Sequence, residues 1–170
     1  TEEFLASLNI PNNLKIAIMI NASELISNEE LIIDRLKKLI PLKASKSKVD
    51  MVRVACHSEI IEKILPVFDF IHNQGYISCC NITQISDKTT ERLEELSCLL
   101  SNSKVNILYF ADSMGSLDGT RTKKIIYQIK SLWKKSTGIH THDNMGKALE
   151  NSLAAINNSV NWIDCTVTGM

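Results

Sequence analysis

Residues 137–144 read Thr-Gly-Ile-His-Thr-His-Asp-Asn, and they join the end of a short apolar run to the start of an amphipathic stretch over 144–157. An extended run that closes on ionisable side chains and then turns into a helix is one strand-helix unit with a polar mouth. Working outward, the same grammar recurs. Short apolar runs rich in β-forming residues lie near 14–20, 49–56, 76–80, 105–111, 137–141 and 160–167, each bounded by Gly, Asn, Asp or Ser. Most are apolar throughout rather than alternating, as parallel strands covered on both faces should be. Between them, helical periodicity predicts helices over 23–40, 58–73, 87–101, 118–135 and 144–157. Leu93, Leu96, Leu99 and Leu100 form one apolar stripe, and Ile125, Ile126, Ile129 and Trp133 another.

Successive strand starts are about 23 to 35 residues apart, the length of one strand-helix unit, so six units repeat. Strict alternation means a parallel sheet, either doubly wound or closed as a (β/α)8 TIM barrel. A doubly wound nucleotide-binding sheet should carry a glycine-rich turn after an early strand. Here the first strand runs into IMINASE, and no GxGxxG or GKS/GKT occurs. Instead almost every strand ends on a polar side chain: Asn21, His57, Asn81, Asp112 with Ser113, His140 with His142, and Thr166 with Thr168. A ring of such residues at strand C-termini is how a barrel builds its active site. A whole barrel needs about 250 residues. The 170 residues here are therefore expected to form one domain, an incomplete TIM barrel of six units.

The composition narrows the classes. The 44% hydrophobic and 22% charged residues suit a globular protein and exclude disorder or low complexity. Lys plus Arg equals Asp plus Glu at 19 each, so no net field attracts nucleic acid or an anionic membrane. No apolar run approaches the roughly 20 residues that cross a bilayer. Thr1-Glu2-Glu3 offers neither initiator Met nor signal peptide, and an internal start is expected. Cys56, Cys79, Cys80, Cys98 and Cys165 are odd in number and include no CxxC pair, which predicts buried free thiols in a cytoplasmic protein.

His140 and His142 share one side of an extended chain, so their imidazoles can converge on a divalent cation. The competing reading has them capping a helix, with Asp143 or Asn144 as N-cap. Asp112 and Ser113 end the fourth strand, where Asp112 is either a substrate contact or a loop-capping carboxylate. Arg53 and His57 lie on one side of their strand. Arg53 suits a structural ion pair somewhat better than anion binding, and His57 reads equally as a cap or a functional group. Asn81 and Gln84 could orient substrate oxygens or satisfy backbone. The pairs Lys123-Lys124 and Lys134-Lys135 read as solvated helix faces.

The segment GIHTHDNMGKALENSLAAINNSVNWIDCTVTGM, residues 138–170, resembles the signature of the metal-dependent aldolase and acyl-transferase barrels related to hydroxymethylglutaryl-CoA lyase. That group includes the 4-hydroxy-2-oxovalerate aldolases and the isopropylmalate and homocitrate synthases. VDMVRVACHSE (49–59) resembles the RVA-x-H strand and LYFADSMGSLD (108–118) the DS-x-G strand of the oxovalerate aldolases in particular. HTHDN departs from the HxHNN or HxHHN of those aldolases. The resemblance implies strands 3 to 8 of a TIM barrel, metal ligands at His140 and His142, and a pyruvate-binding serine at Ser113, with Asp112 and His57 beside it. It implies Mn²⁺ or Mg²⁺ as cofactor and a 2-oxo acid substrate cleaved to pyruvate and an aldehyde through an enolate. An acyl-CoA-dependent synthase, or a lyase acting on hydroxymethylglutaryl-CoA, is the enzymatic alternative, and a non-catalytic barrel-derived binding protein the other. A second copy of the chain or an aldehyde dehydrogenase is the partner it suggests. The family's third metal ligand, an aspartate in a first-strand RDG motif, has no counterpart in this sequence, and the chain stops at Gly169-Met170 inside the expected glycine loop. The family's reactive cysteine would lie in that loop, so Cys165 is expected to be core.

Overall fold

The computed structural model describes residues 2–26 and 31–165. Six strands, β1 (Ala17–Asn21), β2 (Met51–Cys56), β3 (Ile77–Ile82), β4 (Ile107–Asp112), β5 (Ser136–Thr141) and β6 (Trp162–Ile163), form one sheet in sequential order. Every neighbouring pair is parallel, and the sheet stays open, with β1 and β6 at its edges. This is the expected TIM-barrel arrangement of six strand-helix units, unclosed. Beside the strands run α1 (Glu2–Ser7), α2 (Ala22–Ile26), α3 (Ile32–Leu39), α4 (Ile61–Asn73), α5 (Thr90–Ser101), α6 (Gly119–Leu132) and α7 (Ala148–Asn157). The helix expected over 23–40 is two, α2 and α3. Thr166, Thr168 and the Gly169-Met170 end lie outside the described residues.

The sheet has two faces, and period two assigns each strand residue to one of them. Val52, Val54, Cys80, Leu108, Phe110 and Ile139 face the helices, packing with Leu36, Ile64, Phe68, Leu96, Ile125 and Ile129 in the main core. Burying each large apolar side chain there contributes about 1.5–3 kcal/mol. The alternate residues turn to the concave side. Met51, Cys79, Ile107 and Tyr109 form a separate small cluster there. Cys79 and Cys80 thus point to opposite faces, as consecutive strand residues must.

Helix starts are fixed locally. The Thr89 side chain accepts from Arg92 N–H to cap α5, and Asp118 accepts from Arg121 N–H at 2.8 Å to cap α6. All five cysteines are free, but only Cys56, Cys79 and Cys80 are buried. Cys98 and Cys165 are exposed, which corrects the expectation of buried thiols and of Cys165 as core. Cys98 sits on the solvent side of α5, and Cys165 follows the last residues of β6, which no further strand covers among the described residues. Among the described residues, no helix is long and apolar enough to cross a membrane.

Candidate functional site

The concave face carries the polar residues of the strand ends. Gly138 is what lets it close up: a methyl there would overlap the Tyr109 ring of the neighbouring strand, paired in register with it. Tyr109 in turn lies under the Arg53 guanidinium, 4.1 Å from ring centroid to Arg53 Cζ. Arg53 reaches across the sheet to Asp164, just after β6, in a two-pronged pair with Nη1 to Oδ1 at 2.9 Å and Nη2 to Oδ2 at 2.8 Å. The ion-pair reading of Arg53 is the one the structure displays.

Asp164 Oδ2 also accepts from His140 Nδ1 at 2.8 Å. Burial pushes the Asp164 carboxyl up, but hydrogen bonds from His140 and Arg53 and the Arg53 charge outweigh it and hold it down at about 2. An ionised carboxylate only accepts, so His140 donates from Nδ1, and a ring carrying that single hydrogen keeps a lone pair on Nε2. His142 stands beside it, the two rings 5.1 Å apart between centroids and inclined at 68°. Asp164 is the residue that sequence reading missed. The sequence pattern points to Thr166 and Thr168 as that strand mouth, whereas Asp164 shares the parity of Trp162 on β6 and sits at the height of His140.

A carboxylate that fixes one ring nitrogen and leaves the other unprotonated is the arrangement that presents a histidine to a metal. His140 and His142 therefore fit as two nitrogen ligands of a divalent cation. Among the described residues no group of three His, Cys, Asp or Glu side chains could hold a metal ion, so the pair makes a partial ligand set.

Toward β1, a cavity of about 640 Å³ opens at the strand ends, lined by Asn21, His57, Thr83, Gln84 and Ser113 among others. Ser113 Oγ accepts the Gln84 backbone N–H at 3.0 Å, and His57 Nδ1 lies 3.0 Å from Thr83 Oγ1. Ser113 and His57 thus share one cavity. Asp112 does not join them: it is fully buried on the helix-facing side, with its carboxylate oxygens accepting Ser116 and Leu117 N–H at 3.1 Å each. It caps the β4–α6 loop, the structural alternative weighed for it, because consecutive strand residues face opposite ways. Asn81 lies on the concave side, 4% exposed, and its Oδ1 has no hydrogen-bond partner among the described residues. Gln84 takes a left-handed conformation, with φ 55° and ψ 45°. Lys123 and Lys124 lie exposed on α6, and Lys134 and Lys135, exposed just past its end, donate to backbone carbonyls.

Two loops are pinned together beside the histidines. Asn144 Nδ2 donates to the Met114 carbonyl at 3.1 Å, and the Asn144 amide occupies the space that a side chain at Gly115, φ +63°, would need.

Residues 12–170 match the family model described as HMGL-like. A 4-hydroxy-2-oxovalerate aldolase of Carboxydothermus hydrogenoformans is 31% identical over 80 residues, covering 47% of this chain and 24% of that protein. The enzyme of the same name from Thermus thermophilus is 24% identical over 127 residues, covering 74% of this chain and 37% of that protein. The match thus spans about a quarter to 37% of those relatives' lengths. The hydroxymethylglutaryl-CoA lyase of Pseudomonas aeruginosa superposes with a TM-score of 0.74 at 15% identity, over 98% of this chain and 57% of that one, a likeness of fold.

Proposed function

The chain belongs to the HMGL-like family, and on that premise we propose that its protein is a divalent-metal-dependent aldolase that cleaves a 4-hydroxy-2-oxo acid to pyruvate and an aldehyde. The observation that supports this reading most is Asp164 holding His140 beside His142, on the same concave face as Ser113 and His57. The RVA-x-H and DS-x-G stretches that carry Arg53, His57 and Ser113 favour the aldolase over the acyl-CoA-dependent synthase. In this reading β1 to β6 are strands 3 to 8 of the barrel, and the remaining metal ligand comes from strands that this chain does not contain.

A divalent cation, Mn²⁺ or Mg²⁺, held by His140 and His142 would polarise the carboxylate and keto oxygens of the 2-oxo acid. Ser113 hydrogen-bonds the pyruvate half with His57 beside it in the cavity, and a base takes the proton of the 4-hydroxyl, by the family resemblance a histidine from the same strands that this chain does not contain. As that proton leaves, the C3–C4 bond breaks, the aldehyde departs, and the electron pair passes to the enolate of pyruvate, which takes a proton at C3 from the protonated base or from water. Asp112 serves by shaping the loop that carries Ser113. Free thiols suit a reducing cytoplasm, and the partners proposed are a second copy or an aldehyde dehydrogenase that consumes the aldehyde.

The test uses the full-length protein with Mn²⁺, following pyruvate release from a 4-hydroxy-2-oxo acid through a lactate dehydrogenase couple. His140→Ala and His142→Ala should each lower kcat by at least about 100-fold, the scale of losing transition-state charge stabilisation. Variants that cleave at the wild-type rate would refute the reading.

A further inference from the structure

Five residues on the concave face close a circuit that begins and ends on β5. Gly138 leaves a gap that the Tyr109 ring of β4 fills, since a Cβ at 138 would stand 2.4 Å from two of the ring atoms. Arg53 of β2 lies on that ring, 4.1 Å from centroid to Cζ, and from there grips Asp164. Asp164 accepts from Nδ1 of His140, two residues beyond the starting glycine.

What the circuit controls is the plane of the Asp164 carboxylate. The Asp164 N–H is tied to the Ile139 carbonyl at 3.1 Å, which fixes the backbone and leaves the side chain to turn about its Cβ–Cγ bond. Arg53 stops that turn by holding both oxygens, Nη1 on Oδ1 at 2.9 Å and Nη2 on Oδ2 at 2.8 Å, so Oδ2 stays aimed at the imidazole. A single ammonium would hold one oxygen and leave the rotation free. Arg53 in turn needs a support, because a free arginine side chain has many rotamers, and the Tyr109 face supplies it. The arrangement has a cost. Arg53 Nε is buried with no hydrogen-bond partner among the described residues, and an unmet donor works against stability. A pair placed for stability alone has no reason to leave that donor unmet, whereas a pair placed to aim Asp164 at His140 does.

We propose that Arg53 and Tyr109 are positioning residues that set the affinity of the site for its divalent cation, by locking the Asp164 carboxylate against His140. They act through Asp164, from a strand on the far side of the sheet. The proposal deepens the aldolase reading and rests on its assignment of His140 as a metal ligand.

Mn²⁺ binding to the full-length protein, followed by the electron paramagnetic resonance of the free ion, tests this apart from turnover. Arg53→Lys, which keeps the charge and loses the fork, and Tyr109→Leu, which removes the ring, should each weaken Mn²⁺ binding by about 10-fold or more, the scale for groups standing behind a metal ligand. Tyr109→Phe keeps the ring and should stay within about threefold of wild type. Ile129→Val, which loosens the main core on the helix side, controls for lost stability and should bind Mn²⁺ as the wild type does. Wild-type affinity in Arg53→Lys and Tyr109→Leu overturns the proposal, and so does an Ile129→Val protein weakened as much as they are. Either result in an enzyme that still cleaves the 4-hydroxy-2-oxo acid leaves the aldolase reading standing. Wild-type protein that takes up no Mn²⁺ ends both. The expected affinities in a protein that cleaves no such acid refute the aldolase reading alone.

Discussion

Arg53 and Asp164, 111 residues apart in the chain, meet across the concave face in a two-pronged ion pair, with Arg53 stacked on Tyr109. The two side chains are only 13% and 20% exposed, so removing one strands a charge in a poorly hydrated place. Arg53→Met and Asp164→Asn should each lower stability by roughly 2–3 kcal/mol, below the cost for a wholly buried pair. Together they should cost clearly less than the sum, since neither then leaves an orphan. Urea denaturation of the two single variants and the double variant measures this, and strict additivity would deny the coupling.

Gly138 is required by its neighbour. Gly138→Ala would drive the Tyr109 ring out of place, at about 1–3 kcal/mol. Adding Tyr109→Leu should recover part of that stability by removing the ring. If the double variant melts no higher than Gly138→Ala alone, the steric account fails.

Asp112→Asn keeps the size of the side chain but gives up the charge that receives two backbone N–H groups. The substitution should cost about 1–3 kcal/mol while leaving KM for the 2-oxo acid within twofold. Near-total loss of turnover at unchanged stability would show that Asp112 touches substrate instead of shaping its loop.

Burial pushes the Cys79 thiol up to about 12, with the Arg53 charge recovering only part of that cost. Thiolate is the reactive form, so Cys79 should resist iodoacetamide at pH 8 and still resist at pH 9.5, because a raised pKa keeps the thiol protonated through that range. Cys98 and Cys165 should be alkylated in the native protein, and Cys56, Cys79 and Cys80 only in urea. Peptide mapping by mass spectrometry reads the sites, and native labelling of Cys79 would contradict its burial.

The repeat of strand and helix was legible in the sequence because most of the strand runs are apolar on both sides, and all six strands lie where their runs predicted. The stripe over 23–40 concealed two helices, since periodicity alone does not mark a break. At the site, period two placed His140 and His142 together correctly. The same rule, applied to Asp112 and Ser113, would have sent Asp112 to the helix side, and applied from Trp162 it would have brought Asp164 to the concave side. What no local pattern could supply was the partner of Arg53, because strand order and the height of β6 decide it.

The Asn144 amide fills the space above Gly115 and holds the Met114 carbonyl. In heredity the two positions therefore form one character. A side chain can arise at 115 only in a lineage that has already shortened or turned away the one at 144, so descendants of this gene should change the two in that order or keep both.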